Sequence, residues 1–141
     1  MAIERTMWVT YCDDVRQELG NKLSYMGVYG PQLIVPDYPA AVLKLCVVMT
    51  VRGAAKAPPK SVIFRVLRND EIVCEHAVDP GPLADAAGPD DRYFAIGAIA
   101  QLVNVEFAER TMLRARAIVD GEELRGGSLE MLAAEIHTES P

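Results

Sequence analysis

The chain has 141 residues, a formal net charge of −6, and 50% apolar residues against 6% aromatics. That length fits one domain, and the apolar fraction is enough for a core of Val, Leu, Ile and Ala, which excludes a disordered chain. The acidic balance, with no basic run anywhere, argues against nucleic acid, whose phosphates need basic patches, and against adsorption to anionic membranes.

The opening residues, Met1 to Thr6, show no basic segment followed by a long apolar one, so no signal peptide is expected. The longest apolar run, Phe94 to Val105, is about half of a membrane span. Cys12, Cys46 and Cys74 are widely spaced and form no Cys-x-x-Cys, which predicts reduced thiols and a cytoplasmic location.

In chain order, Met7 to Tyr11 is β-branched and aromatic and predicts a strand. Residues 12–22 read as a polar loop carrying Asp13, Asp14, Arg16, Glu18 and Lys22, with a turn at Leu19 to Lys22 where Gly20 and Asn21 tolerate positive φ. Leu23 to Tyr29 is the next strand, and Tyr25 and Tyr29, an even number of residues apart, are expected on one face. Gln32 to Val35 lies between prolines and predicts an edge segment or an ordered loop. Val42 to Arg52 alternates, with Leu43, Leu45, Val47, Met49 and Val51 expected inward.

Ser61 to Arg68 and Glu71 to Val78 form a hairpin about Asn69-Asp70, with Val62, Phe64 and Val66 on one face. Residues 79–92 are a Gly/Pro-rich loop. Tyr93 to Phe107 is apolar on both faces, which fits either a central strand covered on both sides or a strand whose outer face docks a second subunit. Thr111 to Val119 alternates again, and Asp120-Gly121 is a strong hairpin signal. Ser128 to Ile136 fits both periods; the hairpin context favours a strand, and residues 137–141 are expected to be a mobile tail.

These elements predict one all-β antiparallel sandwich, immunoglobulin-like or jelly-roll-like, of about seven to nine strands over residues 1–136. Its expected core is Val9, Leu45, Val47, Met49, Phe64, Val66, Leu113, Ala115 and Val119. The run Cys12-Asp13-Asp14-Val15-Arg16 with Glu18, then Lys22-Leu23-Ser24 and Gly27-Val28-Tyr29, resembles the opening of an uncharacterised family of small bacterial and phage proteins. Those proteins continue into a Tyr-x-Phe strand, an Asp-Gly turn and a closing strand. This chain departs from the pattern in its Gly20-Asn21 order and at Thr111 to Arg114. The resemblance implies the fold and supplies no activity.

No phosphate loop, Walker lysine or nucleophile elbow occurs. Cys74 and His76 share a strand face, but a catalytic pair also needs an orienting group and an oxyanion donor, and no residue pattern supplies them. Asp79, Asp85, Asp90 and Asp91, with Asp13, Asp14 and Asp37, match no calcium-loop spacing. The chain therefore reads as a non-enzymatic interaction or structural module without cofactor or metal. It is expected to bind a protein partner or to self-associate as a homo-oligomer. The alternative is a small-molecule-sequestering protein or small hydrolase using the 12–30 loop. The expected binding residues are Asp13, Asp14, Arg16, Glu18, Lys22, Tyr25 and Tyr29: the charges pair within a loop held by rigid strands, and the aromatic and arginine side chains are common interface anchors.

Overall fold

The computed structural model describes residues 4–81 and 92–134. Among them are nine strands: β1 (Thr6–Glu18), β2 (Lys22–Val28), β3 (Gln32–Val35), β4 (Ala40–Ala54), β5 (Val62–Arg68), β6 (Glu71–Val78), β7 (Tyr93–Phe107), β8 (Thr111–Val119) and β9 (Glu122–Ala133). They form two sheets, in the orders β2-β1-β4-β7 and β3-β9-β8-β5-β6. The all-β sandwich expected from the alternating segments is the fold observed. Pairing is antiparallel except where the short β3 lies parallel to β9. Ser128 to Ala133 is strand rather than helix, because Thr111↔Met131 and Leu113↔Leu129 pairing to β8 supplies its backbone partners. The expected tail and much of the 79–92 loop, including Asp85, Asp90 and Asp91, lie outside the described residues.

The core lies between the sheets. Leu45, Val47, Met49 and Val51 of β4 meet Val62, Phe64 and Val66 of β5 and Leu113, Ala115, Ala117 and Val119 of β8, all buried in one cluster. Each strand alternates, so its other face points outward. Val9 is only partly buried but packs on the same cluster. Tyr11, Leu33, Phe94, Ile96, Ala100, Phe107, Leu129 and Met131 complete the core.

Two expectations about facing are corrected. Leu43 is 75% exposed, and Val42 packs on the core instead. The ladder lapses between Val42↔Val105 and Lys44↔Val103, where Asn104 takes φ 52, and the pleat reverses there. Strand β7 is an edge strand, paired only to β4 among the described residues, so it is not a central strand covered on both sides.

The sheets touch most closely where β1 crosses β9. Arg114 faces Ser128 and Arg116 faces Arg125, so Gly126 and Gly127 together stand opposite Ala115 as a bulge in β9. A Cβ on Gly126 would lie 2.1 Å from a Val9 methyl carbon. The Tyr11 hydroxyl donates to the Gly127 carbonyl at 2.7 Å, and burial pushes its pKa upward. At the hairpin opposite, Asp120 and Gly121 take φ 50 and 84, the geometry that the Asp-Gly pair predicts.

Two substitutions test this packing by denaturant unfolding. Leu45 is fully buried, and Leu45→Ala is expected to cost about 2–5 kcal/mol. Gly126→Ala is expected to cost about 1–3 kcal/mol by overpacking. A change within about 0.5 kcal/mol for either variant contradicts the geometry described here.

Candidate functional site

The two outer faces differ in chemistry. The outer face of the β5–β8–β9 sheet is laced with ion pairs: Arg65–Glu75 at 2.7 Å, Arg114–Asp70 at 3.1 Å, Arg110–Glu130 at 2.5 Å and Arg116–Glu123 at 3.5 Å. Such pairs mark a solvated surface. On the first sheet, residues directly opposite share a face, so Trp8, Thr50 and Gly97 point outward together, as do Thr10, Val48 and Ile99. Trp8 is 62% exposed, Val103 63% and Ile99 46%. Near the end of this face, the Arg52 guanidinium lies over the Tyr93 ring, 3.9 Å from its centre.

The segment expected to be a charged loop is instead strand. Residues Cys12 to Glu18 continue β1 and pair with β2 through Cys12↔Val28, Asp14↔Met26, Arg16↔Ser24 and Glu18↔Lys22. Only Leu19 to Asn21 form the turn, with Gly20 and Asn21 at φ 81 and 57. Polarity alone suggested a loop, but alternating polar residues on a half-exposed hairpin satisfy the pleat equally well. Beyond Cys12↔Cys46 the ladder to β4 ends, so the hairpin leaves β4 there.

A glycine makes this departure possible. Gly27 takes φ 66, and a Cβ on it would lie 2.1 Å from an Asp13 carboxylate oxygen. Asp13 therefore lies across the Gly27 backbone and accepts a hydrogen bond from the Tyr29 hydroxyl. Burial, then this bond to a carboxylate, push the Tyr29 pKa to about 12. The pleat reverses at this point. Tyr29 packs on the main core, while Val15, the partner of Tyr25, packs on Cys12, Cys46 and Val48 of the outer face. Tyr25 and Tyr29 thus point to opposite faces, which corrects the even-spacing expectation.

The expected pairing among the five charges is also corrected. Asp14 pairs with Lys44 of β4 at 2.5 Å. That bond lowers the Asp14 pKa and raises that of Lys44. Asp13 serves Tyr29, and Glu18 and Lys22 stand opposite in register. Among the described residues Arg16 makes no ion pair; it is exposed and acts on Asp14 only through its field. Reading the sequence singled out Arg16 and missed Lys44, because the partner comes from a strand about thirty residues away.

The hairpin leans over the outer face. Val15, Gln17 and Leu23 from the hairpin and Cys46, Ile99 and Gln101 from the sheet line a shallow groove of about 350 Å³, with Asp14 and Lys44 at its rim. Cys12 and Cys46 lie directly opposite each other beneath the Asp13–Asp14 backbone, whose carbonyls accept from both thiols. Burial raises both thiol pKa values, which suppresses the nucleophilic thiolate. A second groove, of about 250 Å³, lies at the seam between β6 and β7 and contains Cys74 and His76. Among the described residues no cluster of three or more His, Cys, Asp or Glu side chains has metal-binding geometry, and no helix is long and apolar enough to cross a membrane.

No family model matches the chain, and no curated protein matches it. Among solved structures it is similar to the CARDB domain of a Pyrococcus furiosus protein, which was crystallised in complex with di-metal ions. The two share 12% sequence identity over 94% of this chain and 90% of that one, with a TM-score of 0.43.

The hairpin geometry separates two variants. Gly27→Ala is expected to destabilise the fold by about 1–2 kcal/mol, because it places a side chain in the left-handed region and displaces Asp13. Arg16→Ala is expected to stay within about 0.5 kcal/mol of the parent. Thermal melts of both, checked by urea unfolding, decide the matter: an Arg16→Ala loss as large as that of Gly27→Ala restores Arg16 as the lock of the hairpin.

Proposed function

We propose that this chain is a non-catalytic interaction module of bacterial or phage origin, acting in the cytoplasm. It binds a protein partner through the outer face of its first sheet and the β1–β2 hairpin. One observation carries the reading: the chain covers one outer face with ion pairs, while on the other Trp8, Ile99 and Val103 stand exposed and the cations Arg52 and Lys44 are engaged by Tyr93 and Asp14. A contiguous apolar area rimmed by a few charges is the common form of a protein-binding surface. Trp8, Ile99 and Tyr25 supply its anchors, and Asp14 and Lys44 supply a polar rim, while Arg16, Glu18 and Lys22 lie on the other side of the hairpin. The bacterial or phage origin rests on the resemblance of residues 12–29 alone.

Chemistry at the same place is less well supported. The grooves named above are shallow and sit at or below the lower end of the usual range for small-ligand sites, about 300–1,000 Å³. Cys46 lines the first of them, and burial raises the pKa of its thiol and of Cys12 beside it, which disfavours the nucleophilic thiolate.

Trp8 is the single tryptophan, so its fluorescence reports on this face directly. A partner isolated from the native host is expected to shield Trp8 from acrylamide quenching. Trp8→Ser is expected to weaken that partner roughly thirty-fold with unchanged melting, the loss typical of an exposed aromatic anchor. Arg114→Ala, on the opposite sheet, is expected to leave binding unchanged. Equal loss in both variants, or none in Trp8→Ser, overturns the reading.

A further inference from the structure

The chain has three cysteines, and the fold treats them differently. Cys74 lies on β6 of the second sheet. Cys12 and Cys46 are directly opposite on β1 and β4, at the last register position before the two strands part. Opposite residues of an antiparallel pair point to one face, and their Cα atoms lie about 4.5–5.5 Å apart. A disulfide joins Cα atoms about 4.4–6.8 Å apart, so this register already suits one. The two sulfurs also converge. The Cys12 thiol donates to the Asp14 carbonyl at 3.4 Å, and the Cys46 thiol to the Asp13 carbonyl at 4.0 Å. With Val48 they form one small cluster, separate from the main core.

The two thiols are not equivalent. Cys12 is fully buried. Burial raises its pKa, and Cys46 and the Asp13 carboxylate add to the rise. Cys46 lines the shallow groove between the hairpin and the sheet, beside Lys44. Burial raises its pKa too, but the Lys44 ammonium pulls the other way. A small oxidant entering the groove therefore meets the Cys46 sulfur first, and that sulfur has a cation to favour its thiolate.

We infer that Cys46 and Cys12 form a reversible disulfide when the chain meets a peroxide, and that this bond fastens the root of the β1–β2 hairpin to β4. The Cys46 thiolate attacks one peroxide oxygen and the O–O bond breaks. Cys46 becomes a sulfenic acid, and the other oxygen leaves as water with the thiol proton. The Cys12 sulfur then displaces the sulfenic oxygen, which leaves as a second water with the Cys12 proton. The two thiols give up two electrons and two protons, and one peroxide becomes two waters. A dithiol reverses the bond by exchange. A transient bond of this kind is compatible with the cytoplasm. The inference is independent of the docking face proposed above, because Trp8→Ser changes neither cysteine nor the lining of the groove.

The test treats the intact, reduced chain with millimolar hydrogen peroxide and follows it by thiol titration, intact mass and peptide mapping. The parent is expected to lose the mass of two hydrogens and to yield a peptide linking Cys12 to Cys46. It is expected to melt roughly 5–10 °C above its reduced form, and to return on dithiothreitol treatment. Cys12→Ser is expected to stop at a Cys46 sulfenic acid that dimedone traps, whereas Cys46→Ser is expected to leave Cys12 a free thiol. Cys74→Ser is expected to form the link at the parental rate. The parent's own peptide map needs no substituted chain, so it decides the matter even where a variant fails to fold. A parent in which both Cys12 and Cys46 stay thiols overturns the inference. So does a Cys46 driven to sulfinic acid without a link, a link made through Cys74, or a linked chain that melts no higher than the reduced one. Sulfenic acid trapped at Cys12 in Cys46→Ser, with none at Cys46 in Cys12→Ser, overturns the order of the two steps.

Discussion

The close crossing of β1 and β9 is the contact on which the rest of the molecule turns. Gly126 removes a side chain where Val9 must sit, and the bulge around it lets the Gly127 carbonyl reach the Tyr11 hydroxyl. The sheets can come no nearer than the methyl of Val9 allows, so this corner fixes their separation. At the opposite side, β6 and β7 barely meet, and a groove enters between Phe64 and Val66 on one sheet and Met49 and Ala98 on the other. A wedge pinned at one corner leaves the far edge open. The long apolar edge of β7 lies on that open side.

The hairpin shows how a local conformation redistributes surface. A strand of unbroken alternation would have carried Val15 into the core with Tyr11. Asp13 crossing Gly27 reverses the pleat, so Val15 covers Cys12, Cys46 and Val48 from outside. This explains thiols that are nearly inaccessible on an outer face. It also leaves Asp14 beside Lys44, bridging the gap where β1 parts from β4. The sign of that pair's pH dependence follows from its shifts. Asp14 is depressed, so the contribution is present above the ordinary aspartate pKa of about 3.9 and fades as pH falls through the lower folded value.

Much of the architecture was legible because period two is a strong signal wherever one face is buried. Thr111 to Val119 reads inward and outward without error, since its arginines all meet solvent and its small apolar residues all meet the core. The Asp120-Gly121 turn was legible for a similarly local reason. What escaped was nonlocal or depended on a break in the pleat. Leu43 looks like Leu45 in sequence, and only the positive φ of Asn104 on the neighbouring strand turns it outward. The charges at Asp13 and Asp14 read as a loop because their partners, Tyr29 and Lys44, arrive from elsewhere in the chain. Apolarity on both faces of β7 marked it as unusual, but composition alone does not separate an edge strand from a central one.

The two outer faces handle their charges differently. On the second sheet, Arg65, Arg110, Arg114 and Arg116 each meet a carboxylate, and such pairs keep a face solvated. On the first sheet, Arg52 is drawn onto the Tyr93 ring and Lys44 onto Asp14. Those two cations stand toward opposite ends of β4, and Trp8 and Ile99 lie between them along the strands, with no charge opposite either side chain. The exposed aromatic and aliphatic side chains of this face are therefore left to a partner, while the paired arginines of the other sheet are already satisfied within the chain.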